Sequence, residues 1–214
     1  QMSGESRHHP SALRNRDPIL QVLQSLLPSD VSGYALEFAS NSGAHLEVLA
    51  PAFPGLDWQP SDQYALQSPQ LQQLDECLQE VPTQNVRPAV SIDVTAPFSS
   101  WPSKVLQQEG AARVVYVSNV THCTAWDVTA GLLSGAAKML KPEGELIIYG
   151  PFKEGGKFSS EGNVRFDESL RQQNPAWGYR DVEEVAAEAE KCGMKLASQF
   201  TMPANNLLLV FRRV

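Results

Sequence analysis

Residues Arg113 to Tyr149 read RVVYVSNVTHCTAWDVTAGLLSGAAKMLKPEGELIIY, and this stretch decides the fold. Its first part, RVVYV at 113–117, is a β-branched and aromatic run closed by Ser118 and Asn119, the pattern of a buried strand. From Val128 to Leu140 apolar residues recur at helical spacing, and Lys141-Pro142-Glu143-Gly144 supplies the stop. Glu145 to Tyr149 is strand-like again. A strand, a helix and a second strand joined this closely predict a parallel crossover.

The alternation continues on both sides. Asp17-Pro18 opens a helix over Ile19–Leu27, which Pro28 ends. Tyr34–Phe38 reads as the first strand and about Ala44–Ala52 as a helix. Leu56–Gln59 is the second strand, Pro69–Leu78 a helix, and Ala89–Ile92 the third strand. Past Tyr149, the Gly- and Ser-rich span from Gly150 to Gly162 reads as a loop and a lid candidate. A helix over Asp181–Cys192 and closing strands at Met194–Phe200 and Asn206–Phe211 complete the chain. The expected fold class is α/β: a doubly wound sheet of seven strands covered on both faces. The expected organisation is a flexible start over residues 1–12 and a single domain over 13–214.

The chain has 214 residues, 42% of them hydrophobic and 19% charged, a globular balance. Its formal net charge of -7 repels phosphate backbones. The short clusters Arg14/Arg16 and Arg212/Arg213 do not offset it, so no nucleic-acid partner is expected. No apolar run approaches the ~18 residues of a membrane span, and the polar stretch Gln1–His9 lacks the apolar core of a signal peptide. Cys77, Cys123 and Cys192 are widely spaced and odd in number, which fits a reducing compartment. A cytoplasmic setting is expected, with Met2 as the native start. The four histidines lack metal-ligand spacing, so no metal is expected. Oligomeric state is not written in the sequence.

Ligands of open α/β sheets bind beyond the carboxyl ends of the strands. The residues that follow each strand are therefore the candidates. After the first come Glu37 through His45, EFASNSGAH, in which Gly43 and then Asn41 best tolerate a left-handed backbone. Asp62 follows the second strand, where a carboxylate can accept from ribose hydroxyls; a helix cap is the alternative. Asp93, beside Val94, follows the third and could accept from an adenine amino group; an Asx-turn is the alternative. After the fourth come Asn119 and His122. An imidazole titrates near neutral pH, so His122 is the candidate general base; a hydrogen-bonding loop histidine is the alternative.

These residues resemble a known group. The opening RNRDPIL at 14–20, LEFASNSGAH at 36–45 and WQPSD at 58–62 are similar to the methyltransferase-like 26 family of class I methyltransferase-like proteins. So are Asp93-Val94-Thr95, Asn119-Val120-Thr121-His122, Leu140-Lys141-Pro142 and Tyr149-Gly150-Pro151-Phe152. The most specific segments are Ser160 through Phe166-Asp167, Leu170-Arg171, Asn174 through Asp181 (NPAWGYRD) and Met202 through Asn206 (MPANN). The resemblance covers nearly everything from Leu13 onward. It departs at Asn41 and Ala44, where the family usually has Gly and Gln. Ala39 is shared with the family, although class I methyltransferases more widely prefer Gly there.

The resemblance implies a mostly parallel, Rossmann-like sheet with an antiparallel closing strand. It implies S-adenosylmethionine (SAM) as cofactor and S-adenosylhomocysteine (SAH) as product. By position, Glu37, Ala39, Asn41, Gly43 and Asp62 would line the methionine and ribose parts, Asp93 with Val94 would hold adenine, and Asn119 would lie near the carboxylate or sulfonium. Arg14 would pair with the cofactor carboxylate, or with Asp17 in a surface ion pair. His122 would take the acceptor's proton, Tyr149 and Asn205 would orient the acceptor, and Trp177 would form an apolar wall. The expected activity is methyl transfer to a small-molecule acceptor. The alternatives are a protein methyltransferase and a cofactor-binding or interaction module without turnover.

Overall fold

The computed structural model describes residues 7–214. Helix α1 spans Pro10–Leu26, with proline in its first turn and the His9 side chain accepting from Ser11 N–H. It starts well ahead of the Asp17-Pro18 opening expected from the sequence, because Pro18 is carried inside the helix. Of the expected flexible start, residues 1–6 lie outside the described residues. His8 is buried, with Nδ1 2.8 Å from Ser42 Oγ and Nε2 2.8 Å from Glu47 Oε1.

The chain then alternates as the hydrophobic pattern requires: β1 (Gly33–Phe38), α2 (Leu46–Ala52), β2 (Leu56–Asp62), α3 (Pro69–Gln79), β3 (Val90–Ser91), α4 (Ser103–Leu106), β4 (Ala112–Ser118), α5 (Trp126–Met139) and β5 (Leu140–Gly150). After it come β6 (Phe152–Lys153), α6 (Glu161–Gln173), β7 (Arg180–Asp181), α7 (Val182–Lys191), β8 (Met194–Met202) and β9 (Asn206–Arg213). Seven strands form one sheet in the order β3-β2-β1-β4-β5-β9-β8. The pairs from β3 through β5 are parallel, while β9 runs antiparallel to both β5 and β8. This is the doubly wound, mostly parallel sheet with an antiparallel closing strand.

Alternating residues of β4 feed opposite faces. Val115 and Val117 meet α5 and α7, whereas Val114 and Tyr116 meet α1, α2 and α3. Lys141-Pro142-Glu143-Gly144 does stop α5, but the chain passes directly into β5. Glu143 takes φ +62, and pairing jumps from Ala112↔Leu140 to Val114↔Glu145. Helix α5 also fixes the β3 end. A Cβ on Gly131 would lie 2.2 Å from the Val94 carbonyl oxygen, so only glycine permits this approach.

The Gly150–Gly162 span, expected as a loop, contributes β6, which pairs with β7, and its last two residues already begin a helix. Helix α6 begins at Glu161, with Ser160 as its N-cap accepting from Asn163 N–H. Its mostly polar surface, with only Phe166 and Leu170 as an apolar pair one turn apart, gives little helical signal in the sequence.

Candidate functional site

At the carboxyl ends of β1 and β2, two loops are bonded to each other. After β1 the backbone takes φ +53 at Ala39, +50 at Asn41 and +77 at Gly43. Asn41 N–H donates to Asp62 Oδ2 at 2.9 Å, and Gln63 N–H donates to Asp62 Oδ1 at 2.8 Å. Ser40 N–H donates to the Ser61 carbonyl at 2.9 Å. Asp62 is thus aimed by backbone donors on both oxygens and keeps lone pairs for a ligand. Burial raises its pKa against the pull of those donors.

A cavity of about 1140 Å3 opens over these strand ends. Arg14, Ala39, Asn41, Asp62, Asp93, Val94, Asn119 and His122, all singled out from sequence, line it. Glu37, Gly43, Tyr149 and Asn205 are not among its lining residues. Gly43 faces α3, where a Cβ would lie 2.8 Å from Leu78 Cδ2. Tyr149 belongs to the core on the α1–α3 face, and its hydroxyl accepts from Asn206 Nδ2 at 2.8 Å. Asn206 lines the cavity in place of the exposed Asn205, because the chain turns through φ +59 at Ala204 and +58 at Asn205.

Glu37 lies beneath the loop after β1, 2% exposed, with Oε2 lacking a partner. Burial pushes its carboxyl up to about 8. His45 Nδ1 is 4.0 Å from Glu37 Oε1, and burial followed by the Arg16 charge lowers that imidazole to about 4. Both groups are neutral near pH 7, so the contact is not an ion pair. Asp93 is exposed and caps its own turn, with Oδ1 accepting from Thr95 N–H at 2.8 Å and Thr95 Oγ1 at 2.7 Å. Those bonds hold its pKa below the usual value.

The opposite end of the cavity is aromatic. The rings of His122, Phe166 and Tyr179 lie 5.9 to 6.4 Å apart between centroids, and Leu170 and Trp177 continue this wall. His122 Nδ1 is sealed without a partner, near the backbone at Gly150, which leaves Nε2 as the ring nitrogen available to the cavity. Burial, reinforced by Arg180, lowers the imidazole to about 4. Arg180 ties the turn that carries His122 to the aromatic wall, donating to the carbonyls of Thr121 and Ala176 at 3.0 Å each.

Arg14 has no ion pair among the described residues; Arg16, not Arg14, lies 3.8 Å from Asp17. Sequence reasoning missed one buried neighbour, Asn15, and gave no role to the half-buried His45; both line the cavity. Asn15 lies inside the quoted RNRDPIL segment, but its facing depends on a helical turn that the sequence pattern placed later. Among the described residues no cluster suits a metal ion, and no helix is long and apolar enough to cross a membrane.

This strand order, with a cavity over the carboxyl ends, is the class I methyltransferase fold. Solved methyltransferases share it. Mitomycin 7-O-methyltransferase MmcR aligns with a TM-score of 0.75 and 18% identity over 95% of this chain and 54% of that one. The O-methyltransferase family 2 protein from Planctomyces limnophilus DSM 3776, solved with apigenin, gives 0.76 and 16% over 95% and 58%. PigF, solved with SAH, gives 0.70 and 15% over 92% and 55%. The chain spans just over half the length of these proteins, and the likeness is one of fold. The chain itself belongs to the family described as "Protein of unknown function (DUF938)", whose pattern matches residues 6–213.

Proposed function

We propose that this protein is a SAM-dependent methyltransferase acting on a small-molecule acceptor. The observation that carries the reading is the two-ended cavity: pre-aimed Asp62 and Asp93 at one end, and the His122–Phe166–Tyr179 wall at the other. A cavity of about 1140 Å3 exceeds the usual range for one drug-sized ligand, so it has room for a nucleoside cofactor and an acceptor together. SAH bound to PigF and apigenin bound to the Planctomyces protein support the same pairing by analogy of fold. The resemblance to the methyltransferase-like 26 family points the same way.

The residues present fit the cofactor. Asp62 has the carboxylate that ribose hydroxyls require, already oriented by Asn41 and Gln63 N–H. Asp93 Oδ1 is used within its own turn, leaving Oδ2 for an adenine amino group. Asn41, at φ +50, occupies a conformation that asparagine tolerates better than other side-chain-bearing residues. When bound, SAM supplies a methyl group activated by a sulfonium. The chain supplies orientation and a partly dry wall. His122 Nε2, neutral above about pH 4, accepts a hydrogen bond from an acceptor O–H, N–H or S–H, and burial leaves it a weaker base than the near-neutral imidazole expected from sequence. Asn206, held by Tyr149, takes the orienting role expected of Tyr149 and Asn205.

The test is transfer of isotope-labelled methyl from SAM into a small-molecule extract and, separately, into a protein extract. Label in the small-molecule fraction, reduced in Asp62→Ala at limiting SAM, is expected. Label confined to protein would establish the protein methyltransferase instead. Absence of label despite tight SAM binding would leave a cofactor-binding module.

A further inference from the structure

We infer that the acceptor is an uncharged molecule built on a flat aromatic ring, and that Phe166 is the residue that selects it. The inference rests on the methyltransferase reading and narrows its substrate class. The cavity divides by charge. Its acidic and guanidinium side chains, Arg14, Asp62 and Asp93, come from α1 and from the ends of β2 and β3. From Pro151 onward the lining residues include no Asp, Glu, Lys or Arg. The charged neighbours of that part are spent on the protein itself. Asp167 accepts from Tyr179 N–H at 2.6 Å and from Arg171 Nε at 2.8 Å, and Arg180 donates to backbone carbonyls. His122 is neutral near pH 7, and burial pushes the Tyr179 hydroxyl up to about 12, so it carries no charge either. A carboxylate or ammonium entering here gives up water and meets no counter-charge, which costs far more than burying a neutral group.

The same end is shaped for a ring. Gly178 N–H donates to the His122 carbonyl at 2.9 Å, which fixes the turn carrying His122 to the segment carrying Tyr179. The bond from Tyr179 N–H to Asp167 then fixes α6, and with it Phe166, to both. The three rings meet at interplanar angles of 54° to 79°, so none is covered by a parallel neighbour and a further flat ring can stack or meet an edge. His122 and Tyr179 are 8% and 4% exposed, whereas Phe166 is 45% exposed and lines the cavity. A cluster serving only as core would cover all three. Phe166 instead holds a large apolar face in water, and an apolar ring laid on it removes that surface from solvent. A hydroxyl, thiol or ring nitrogen on the same acceptor finds hydrogen-bonding partners in His122 Nε2 and the Asn206 amide, which also lines the cavity.

The experiment separates this inference from the reading beneath it. The protein is first titrated with SAH, and the SAH-saturated protein is then titrated near pH 7 with probes of similar size. These are 2-naphthol, the anion 2-naphthoate, the cation 2-naphthylmethylammonium, and decahydro-2-naphthol, which is uncharged but not flat. Calorimetry is expected to show 2-naphthol bound about tenfold or more tightly than each of the others. Exposed Phe166 is replaceable without opening the core. Phe166→Ala should weaken 2-naphthol about tenfold, Phe166→Tyr should restore it, and both should leave SAH within about twofold. SAH binding with no 2-naphthol binding, with a charged or non-flat probe bound as tightly as 2-naphthol, or with 2-naphthol affinity unchanged in Phe166→Ala, overturns the acceptor class while the methyltransferase reading stands. Failure of the wild type to bind SAH overturns both.

Discussion

Asn41 and Asp62, on different strand-end loops, are joined by a single 2.9 Å bond from the Asn41 backbone N–H to the Asp62 carboxylate. One carboxylate both fixes the shape of the loop after β1 and offers the acceptor for a ribose. Asp62→Ala is expected to lose about 1.5–3 kcal/mol of nucleoside affinity, as for charge-assisted hydrogen bonds. Asp62→Asn keeps the volume but loses the charge, and should fall between the variant and wild type. Calorimetry with SAH reads both; undiminished affinity in a folded Asp62→Ala would remove the ribose role.

The departure of Asn41 from the family's glycine is tested by two substitutions. Asn41→Gly keeps the backbone donor and the φ of +50, so melting temperature should change little and SAH should bind as well or better. Asn41→Val puts a β-branched residue in the same conformation and should cost about 1–3 kcal/mol of stability. Weaker SAH binding by Asn41→Gly would mean that the asparagine side chain contacts the ligand.

Glu37 gives a pH prediction with a definite sign. Its carboxyl is raised from 4.5 to about 8 by burial, so the folded state keeps a proton that the unfolded chain releases. The stabilisation is complete below about pH 4.5 and is lost as pH climbs toward 8. Glu37→Gln does not titrate. Its melting temperature relative to wild type should rise steadily from about pH 5 to about pH 8, with a limiting slope of about 1.4 kcal/mol per pH unit. A difference that does not vary with pH would show that Glu37 is ionised in the fold.

Arg180 braces the turn that presents His122. Arg180→Ala should destabilise the protein by about 1–3 kcal/mol through the carbonyls left without donors. Arg180→Lys should not restore it, because an ammonium cannot span the carbonyls of Thr121 and Ala176 as the planar fork does. His122→Ala, by contrast, should leave SAH affinity nearly unchanged, cost about 1–3 kcal/mol of stability by opening space beside Phe166 and Tyr179, and lower turnover of the folded protein by about 10²-fold. Thermal melts with single-turnover assays distinguish the two; full activity in His122→Ala would reduce it to a packing residue.

The sheet was legible because RVVYV, ELIIY and their counterparts are apolar runs that only a buried strand accommodates. Asp62, Asp93, Asn119 and His122 follow from the strand-end rule alone. What the sequence withheld depends on facing and on helix starts. Tyr149 and Asn206 are joined across β5 and β9, yet only a known register shows that Asn206 enters the cavity while Tyr149 turns into the core. Asn15 was hidden because Pro18 resembles a helix start yet lies within α1. Helix α6 was hidden because a mostly polar helix with one apolar pair has little periodic signal.

A crystal structure of the protein grown with SAH tests the central claim most directly. The expected result is adenosine beside Asp62 and Asp93, with the sulfur facing the open space before His122, Phe166 and Tyr179. Density for SAH elsewhere, a sulfur packed against solid protein, or an empty cavity at saturating SAH would contradict it.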